Sequence, residues 1–450
     1  MGKRAPFILL ALACVVSLFG VTEYEPLTGE IDKGDTAWML VSTAFVLLMT
    51  PGLAFFYGGM VNRRNVISTM MQSFVCMGVV SILWVLVGYS LAFGDTIGGV
   101  IGDPRTFGLF ANVGLSPREG DTIPHLLFAL FQMKFAVITP ALITGSLAER
   151  VRFRSYLLFT VLFVLFIYCP LAHMTWGPGG LFLDWGVLDF AGGTVVHMSA
   201  GFAALAGAVY LGKRKQLTHD PANVPYVILG TALLWFGWFG FNAGSALGAN
   251  DLATVAFANT MVASAAAMIA WSFFDRFRDR KMSAVGACIG AVVGLVAITP
   301  AAGFVSLGEA IFIGFISSII SNLAVEYKTR TSIDDTLDVF PCHGLGGIVG
   351  MFLTAIFAGE AEGGLLATGS FVLIGYHALA FLLTTILAFG GSWLLYRLVD
   401  MVLVMRVTEN QERRGLDLSQ HGESVFEAER RERIMEETRS ERRRVLDPVG

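Results

Sequence analysis

The stretch Asp189-Phe-Ala-Gly-Gly-Thr-Val-Val-His197 decides how this chain reads. It carries an aspartate into a glycine-rich turn, ends on an imidazole, and then continues as an apolar run. A second stretch, Asp338-Val-Phe-Pro-Cys-His343-Gly-Leu-Gly-Gly347, repeats the arrangement later in the chain. An ionisable group set in lipid is costly and usually marks a path for a polar species. Imidazole titrates near neutrality and both gives and takes a hydrogen bond. A lone histidine on an apolar face is read as a satisfied packing residue. Two of them, His197 and His343, in matching glycine-rich settings that permit close helix packing point instead to a site for a small protonatable solute. A metal site fits less well, because no carboxylate or cysteine completes a ligand set at a recognised spacing.

The surroundings of both histidines place them in a membrane. The 450 residues are 55% hydrophobic and 15% charged, against roughly a quarter charged in soluble proteins. The charges crowd into short gaps and into the last 45 residues. Between them lie eleven apolar segments, at about 36–60, 67–93, 124–147, 155–173, 192–212, 225–246, 252–274, 283–299, 304–325, 339–358 and 370–400. About 20 apolar residues suffice to cross a bilayer as helix. The expected fold is therefore all-α: a polytopic membrane protein with eleven transmembrane helices over residues 36–403.

Charge sets the orientation. Fourteen basic residues fall in every second gap, from Arg63/Arg64 to Lys328/Arg330, whereas the other gaps and the N-terminal stretch hold only Lys33, Arg105 and Arg118. The positive-inside rule predicts the N-terminus outside and the C-terminus inside, and an odd number of spans agrees. His197 opens the fifth span and His343 the tenth. Five spans per half give halves of opposite orientation, an inverted five-helix repeat with its shared site near the midplane, plus an eleventh helix outside the repeat.

Residues 1–20 read as a signal peptide: Lys3 and Arg4 precede an apolar run from Phe7 to Phe19. No clear small-residue cleavage site precedes Val21, so an uncleaved anchor is the alternative. Residues 404–450 form a charged tail; from Arg406 onward it holds ten arginines against eleven acids. Ser424-Val-Phe-Glu427 reads as a capping box opening a helix with Glu427/Arg431 and Glu429/Arg433 pairs. That distal stretch reads as a solvated helix at least as readily as a partner-binding one. The five cysteines stand singly in apolar segments and read as small buried hydrophobes.

Other candidates keep two readings each. Asp189 either caps its helix start or touches a cation directly, and the first reading is favoured; Asp338 has the same two roles open to it. The aromatic segment from Trp235 to Ser245, and Trp176 in His173-Met-Thr-Trp-Gly-Pro-Gly-Gly180, fit interfacial anchoring and a cation cage equally well. Phe131 and Phe135 share a helix face and read as core packing. His125, His173, His219, His377 and His421 read as interfacial or packing residues. HExxH, GxSxG and paired catalytic aspartates are absent from the sequence, so an intramembrane enzyme is not expected.

At these segments the chain closely resembles the Amt/Mep/Rh family of ammonium transporters, on the bacterial Amt side, from about Ala37 to Glu423. The strings that carry the resemblance are Thr50-Pro-Gly-Leu-Ala-Phe-Phe-Tyr-Gly-Gly59, Ile143-Thr-Gly-Ser-Leu-Ala-Glu-Arg150, the two histidine stretches, and Gly237-Trp-Phe-Gly-Phe-Asn-Ala-Gly-Ser245. The resemblance implies a homotrimer with one narrow pore per subunit. It implies an outer ammonium site at Trp176 and Ser245, Phe135 stacked on Phe241 as a gate, His197 and His343 as twin pore histidines, and Asp189 as a nearby structural acid. Ammonium or methylammonium is then the substrate, with no cofactor, no nucleic acid, and a PII-type signal protein docking on the cytoplasmic face. The expected location is the inner (cytoplasmic) membrane. The string from Arg406 to Ser424 resembles the family's regulatory tail. An ammonium sensor and an Rh-like gas channel are the alternatives on the same scaffold. Two features stand apart from the pattern. Lys134 adjoins the gate phenylalanine with no acid nearby in sequence, so it either snorkels outward or faces another protomer, and Cys342 precedes His343 where an aliphatic residue is more ordinary.

Overall fold

The computed structural model describes residues 5–18, 29–217, 220–425 and 435. Among them, ten helices are long and apolar enough to cross a membrane, and the protein is a multi-pass membrane protein. We number the helices α1 (Lys33–Met60), α2 (Val66–Phe93), α3 (His125–Leu147), α4 (Phe153–Asp184), α5 (Gly193–Leu211), α6 (Val224–Ala246), α7 (Asp251–Phe277), α8 (Ala284–Ile298), α9 (Leu307–Thr329), α10 (Phe340–Phe357) and α11 (Val372–Val402). The segment expected at 283–299 is the exception to the length expected of a span. It forms α8, a helix of 15 residues, about 22 Å long against a hydrocarbon core of about 30 Å. Ser283 caps its start through the Gly286 N–H, and the chain turns at Thr299 and Pro300, where a proline ends the regular helix.

The expected leader forms the helix Ala5–Ser17, thirteen residues, with Phe7, Leu12 and Val15 among its exposed side chains. The cleavage region near Val21 lies outside the described residues, as does His219. The only regular strands among the described residues are a two-residue hairpin, Thr96–Ile97 with Ile101–Gly102, in the long loop before α3.

Helix α1 packs along α6, and α5 crosses α10. The second crossing brings the two histidine stretches together, and glycine makes it possible. A Cβ on Gly201 of α5 would stand 2.4 Å from the Gly344 Cα of α10, closer than atoms can pack. Five of the long helices carry a π-helical turn, and two of these turns hold the histidines: Gly193–Met198 opens α5 and Phe340–Gly344 opens α10. Such turns widen the helix by one residue and often sit at functional positions.

One end of the bundle gathers the basic gaps. Arg214 pairs with Glu149 and Asp334, each at 2.9 Å, and the fully buried Arg150 donates to Thr336 Oγ1 at 2.7 Å. Burial works to raise the Asp334 pKa, but the hydrogen bond and charge of Arg214, with the charge of Arg150, hold it below the usual range. Removing one partner from such a network leaves an uncompensated buried charge, at a cost of about 3–5 kcal/mol. The tail docks on this same end. Arg406 donates to the Leu211 and Lys213 carbonyls and pairs with Glu412, and Asp417 accepts the Ser68 N–H at 2.7 Å. The Leu416 N–H donates to Asn65 Oδ1 at 2.8 Å. The expected helix from Ser424 through Glu427, with its Glu427/Arg431 and Glu429/Arg433 pairs, falls outside the described residues beyond Val425.

Candidate functional site

Each histidine is aimed by an aspartate eight residues before it. Asp189 accepts the N–H groups of Gly192, Gly193 and Thr194 at 2.7–2.8 Å, with Val195 at 3.4 Å. One buried carboxylate thus meets the free donors of the α5 start and the positive end of its dipole. Gly192 takes φ +112°, a conformation that side chains resist, and a Cβ there would press on Val196 at 2.8 Å. Of the two roles open to Asp189, the hydrogen bonds show the cap.

The second half differs from the sequence reading. The carboxylate at the α10 start is Asp335, not Asp338. Asp335 accepts the Val339 N–H at 3.1 Å and the Phe340 N–H at 2.8 Å. Asp338 sits at φ +58° and forms an ion pair with Lys328. Burial pushes the Asp338 carboxyl up to about 6, against the pull of the Lys328 charge. The shared spacing, Asp189 to His197 and Asp335 to His343, was the signal that identifies the true counterpart.

The structure brings the imidazoles together at the α5/α10 crossing. His197 and His343 are 1% and 2% exposed. Their Nδ1 atoms stand 3.4 Å apart, long for an N–H···N bond, with rings 22° from parallel. Sharing one proton between two Nδ1 atoms forces opposite tautomers. One ring then turns a bare Nε2 outward and the other an Nε2–H, an acceptor and a donor side by side. His197 Nε2 is buried and has no protein partner. Trp238, missed in the sequence, stacks on His197 at 5.3 Å and 19°, its own N–H held by Thr299 Oγ1 at 2.9 Å. The cavity they line is otherwise walled by Leu53, Ile138, Leu142 and Val292. A second cavity, beyond His343, is lined by Phe56, Tyr57, Leu337 and Cys342.

On the side of His197 away from His343 the walls are aromatic. Phe241 lies 6.0 Å from the His197 ring and stacks on Phe135 at 4.2 Å and 26°. Trp176 stands edge-to-face with Phe135 at 6.1 Å. Its indole N–H is spent on the Asp189 carbonyl at 2.9 Å, so only ring surface remains to offer. The Ser245 hydroxyl donates to the Phe241 carbonyl at 2.9 Å, leaving its oxygen lone pairs as acceptors. Lys134 is half-buried, with its ammonium 3.8 Å from Met133 Sδ, and no acid among the described residues pairs with it.

His125, His173 and His421 are held away from this column. His125 meets the Tyr89 hydroxyl, His173 lies against the Ala92 carbonyl and Thr96 Oγ1, and His421 packs on Phe153. The arrangement is a series of ring contacts, Trp176 on Phe135, Phe135 on Phe241, Phe241 on His197 and His197 on His343, that ends in a small apolar cavity. Among the described residues, no cluster of three or more potential metal ligands occurs.

Known proteins share the sequence and the fold of this chain. The model of the Ammonium Transporter Family matches residues 37–426. The ammonium transporter of Aquifex aeolicus is 45% identical over 422 residues, covering 92% of this chain and 98% of its own. That of Bacillus subtilis is 46% identical over 404 residues, covering 88% and 99%. Among solved structures, Candida albicans Mep2 superposes with a TM-score of 0.80 at 33% identity, covering 85% of this chain and 88% of that one. A sensor Amt protein gives 0.80 at 30% identity, covering 86% and 98%. With the family model spanning most of the chain and relatives this similar along nearly their whole length, the protein belongs to the ammonium transporter family.

Proposed function

We propose that the chain binds ammonium at an outer site made by Trp176, Ser245 and Phe135, strips a proton from it, and conducts ammonia through the passage lined by His197 and His343. The observation that carries this reading is the coupled imidazole pair inside an apolar cavity, closed on one side by the Phe135/Phe241 stack. A cation entering such a passage would lose its water with little in return. Ammonia is neutral, and each Nε2 can give or take one hydrogen bond with it. Outside the stack a cation can rest on the Trp176 ring and donate to Ser245 Oγ, together worth about 1–3 kcal/mol.

In this reading α8 counts as a span, giving eleven helices in an inverted five-helix repeat plus α11. The packing of α1 on α6 and of α5 on α10, first on first and fifth on fifth, supports that pairing. The basic face and its tail lie inside and the aromatic vestibule outside, in the cytoplasmic membrane. The assembly is a homotrimer, regulated by a PII-type protein on the face where residues 406–423 dock.

The test is methylammonium uptake by purified protein in liposomes, without any partner, which also separates transport from pure sensing. We expect His197→Ala and His343→Ala each to impair uptake or alter discrimination while the protein stays folded. Trp176→Ala with Ser245→Ala should raise the half-saturation concentration by roughly tenfold or more. Unchanged uptake and discrimination in both histidine variants would overturn the pore reading.

A further inference from the structure

His377 of α11 is fully buried and uses both ring nitrogens. Its Nε2 accepts the Leu188 N–H at 3.1 Å, and its Nδ1 lies 2.9 Å from the Met351 carbonyl. An amide N–H cannot accept and a carbonyl cannot donate, so the proton sits on Nδ1 and the lone pair on Nε2. Both partners adjoin the column described above. Leu188 immediately precedes Asp189. Met351 lies on α10, eight residues past His343. Met351 Sδ also accepts the Thr194 hydroxyl at 3.4 Å, and the Thr194 N–H is one of those held by Asp189. Next to His377, Tyr376 stacks on Trp185 of the same loop, at 6.0 Å and 25°.

We propose that His377 is a positioning residue: it ties the loop that carries Asp189 to the helix that carries His343, and so sets the place of the Trp176 indole and the spacing of the two pore histidines. The chain of contacts runs from His377 through Leu188 to Asp189. There it divides: the Asp189 carbonyl holds the Trp176 indole N–H, and the Asp189 carboxylate holds the α5 start from which His197 projects. The path from His377 through Met351 reaches α10 directly. Helix α11 stands outside the proposed repeat, so one imidazole there can hold both halves in register without touching the substrate. The functional part of the proposal rests on the outer-site reading given above.

The two bonds can be removed one at a time. His377→Gln places an acceptor near the Nε2 position and gives up the Met351 bond. His377→Asn places a donor near the Nδ1 position and gives up the Leu188 bond. His377→Phe keeps the volume and loses both. Two readouts apply to purified protein: amide hydrogen exchange over residues 186–196, and the half-saturation and maximal rate of methylammonium uptake in liposomes. The Asn and Phe variants should speed exchange over 186–196 and raise half-saturation about tenfold. The Gln variant should keep exchange and half-saturation close to the parent but lower the maximal rate, because it gives up the tie to the helix that carries His343. A packing role would instead make Gln as damaging as Phe, or leave exchange unchanged in Asn, and either result overturns the proposal. Should Phe not fold, the Gln/Asn pair decides alone. Trp176→Ala measured alongside separates the two ideas. If exchange responds as expected but neither Trp176→Ala nor His377→Asn moves half-saturation, the outer-site reading fails while the positioning role stands. If Trp176→Ala moves it and His377→Asn does not, the positioning proposal fails.

Discussion

The two histidine-bearing helix starts meet the same need with different surroundings. At α5, Asp189 alone gathers four backbone N–H groups, and the structure around it is glycine, proline and aromatic rings. At α10, Asp335 gathers two, and its neighbours are charged: Asp334 in the Arg214 network, and Asp338 with Lys328. The first start is a closed unit whose carboxylate is answered by backbone dipoles. The second is one member of a charged face that also holds the tail through Arg406 and Lys213. Equivalent backbone geometry therefore carries unequal risk: the α5 start depends on one side chain, while the α10 start shares its load.

The largest consequence is for the aspartates themselves. Asp189→Ala leaves four buried donors unmet, a loss of about 3 kcal/mol or more; Asp335→Ala leaves two and should lose roughly half as much. Thermal unfolding midpoints of the detergent-purified proteins measure the ratio. A loss for Asp335→Ala equal to or larger than that for Asp189→Ala would break the comparison.

A smaller effect tests the link between the α10 start and the tail. Deleting residues 406–450 removes the Arg406, Leu416 and Asp417 hydrogen bonds to the bundle. It should speed hydrogen exchange over residues 335–341 and leave residues 189–195 unchanged. Deleting only 424–450 should move neither, because it leaves in place the bonds that Arg406, Leu416, Asp417 and His421 make to the bundle. Equal changes at both helix starts would show that the α5 start is not isolated.

The smallest effect concerns pH. Burial holds the Asp338 carboxyl near 6, above its ordinary value of 3.8. Between about pH 4 and 6 the folded protein keeps a proton that the unfolded chain has released, so this group's contribution to stability falls as pH rises through that window. Asp338→Asn should remove that slope. Midpoints at pH 4.5 and 6.5, compared between parent and variant, read it directly, and an unchanged slope means that Asp338 titrates as an exposed acid does.

The sequence by itself determined the class of the protein. Long apolar runs cannot remain in water and must close their backbone hydrogen bonds internally, so composition and run length are enough to call membrane helices. The alternation of basic gaps was legible for the same local reason, and the structure gathers those gaps at one end with the tail. His197, His343, Phe135, Phe241, Trp176 and Ser245 were named from motif strings; in the fold the five rings follow one another in contact, and Ser245 bonds to the Phe241 carbonyl. What the sequence left open was decided by tertiary contact. It did not show that α8 stops at 15 residues, because the apolar run there reads the same at either length. It pointed to Asp338 where Asp335 does the capping, because both precede the histidine and only a folded turn shows which carboxylate reaches the amides. It gave no hint that Trp238 would lie on His197, or that His377, far along the chain, would hold Leu188. Hydrophobic runs are a property of neighbours in sequence; a stacked ring or a shared proton is a property of helices brought together, and no local pattern records it.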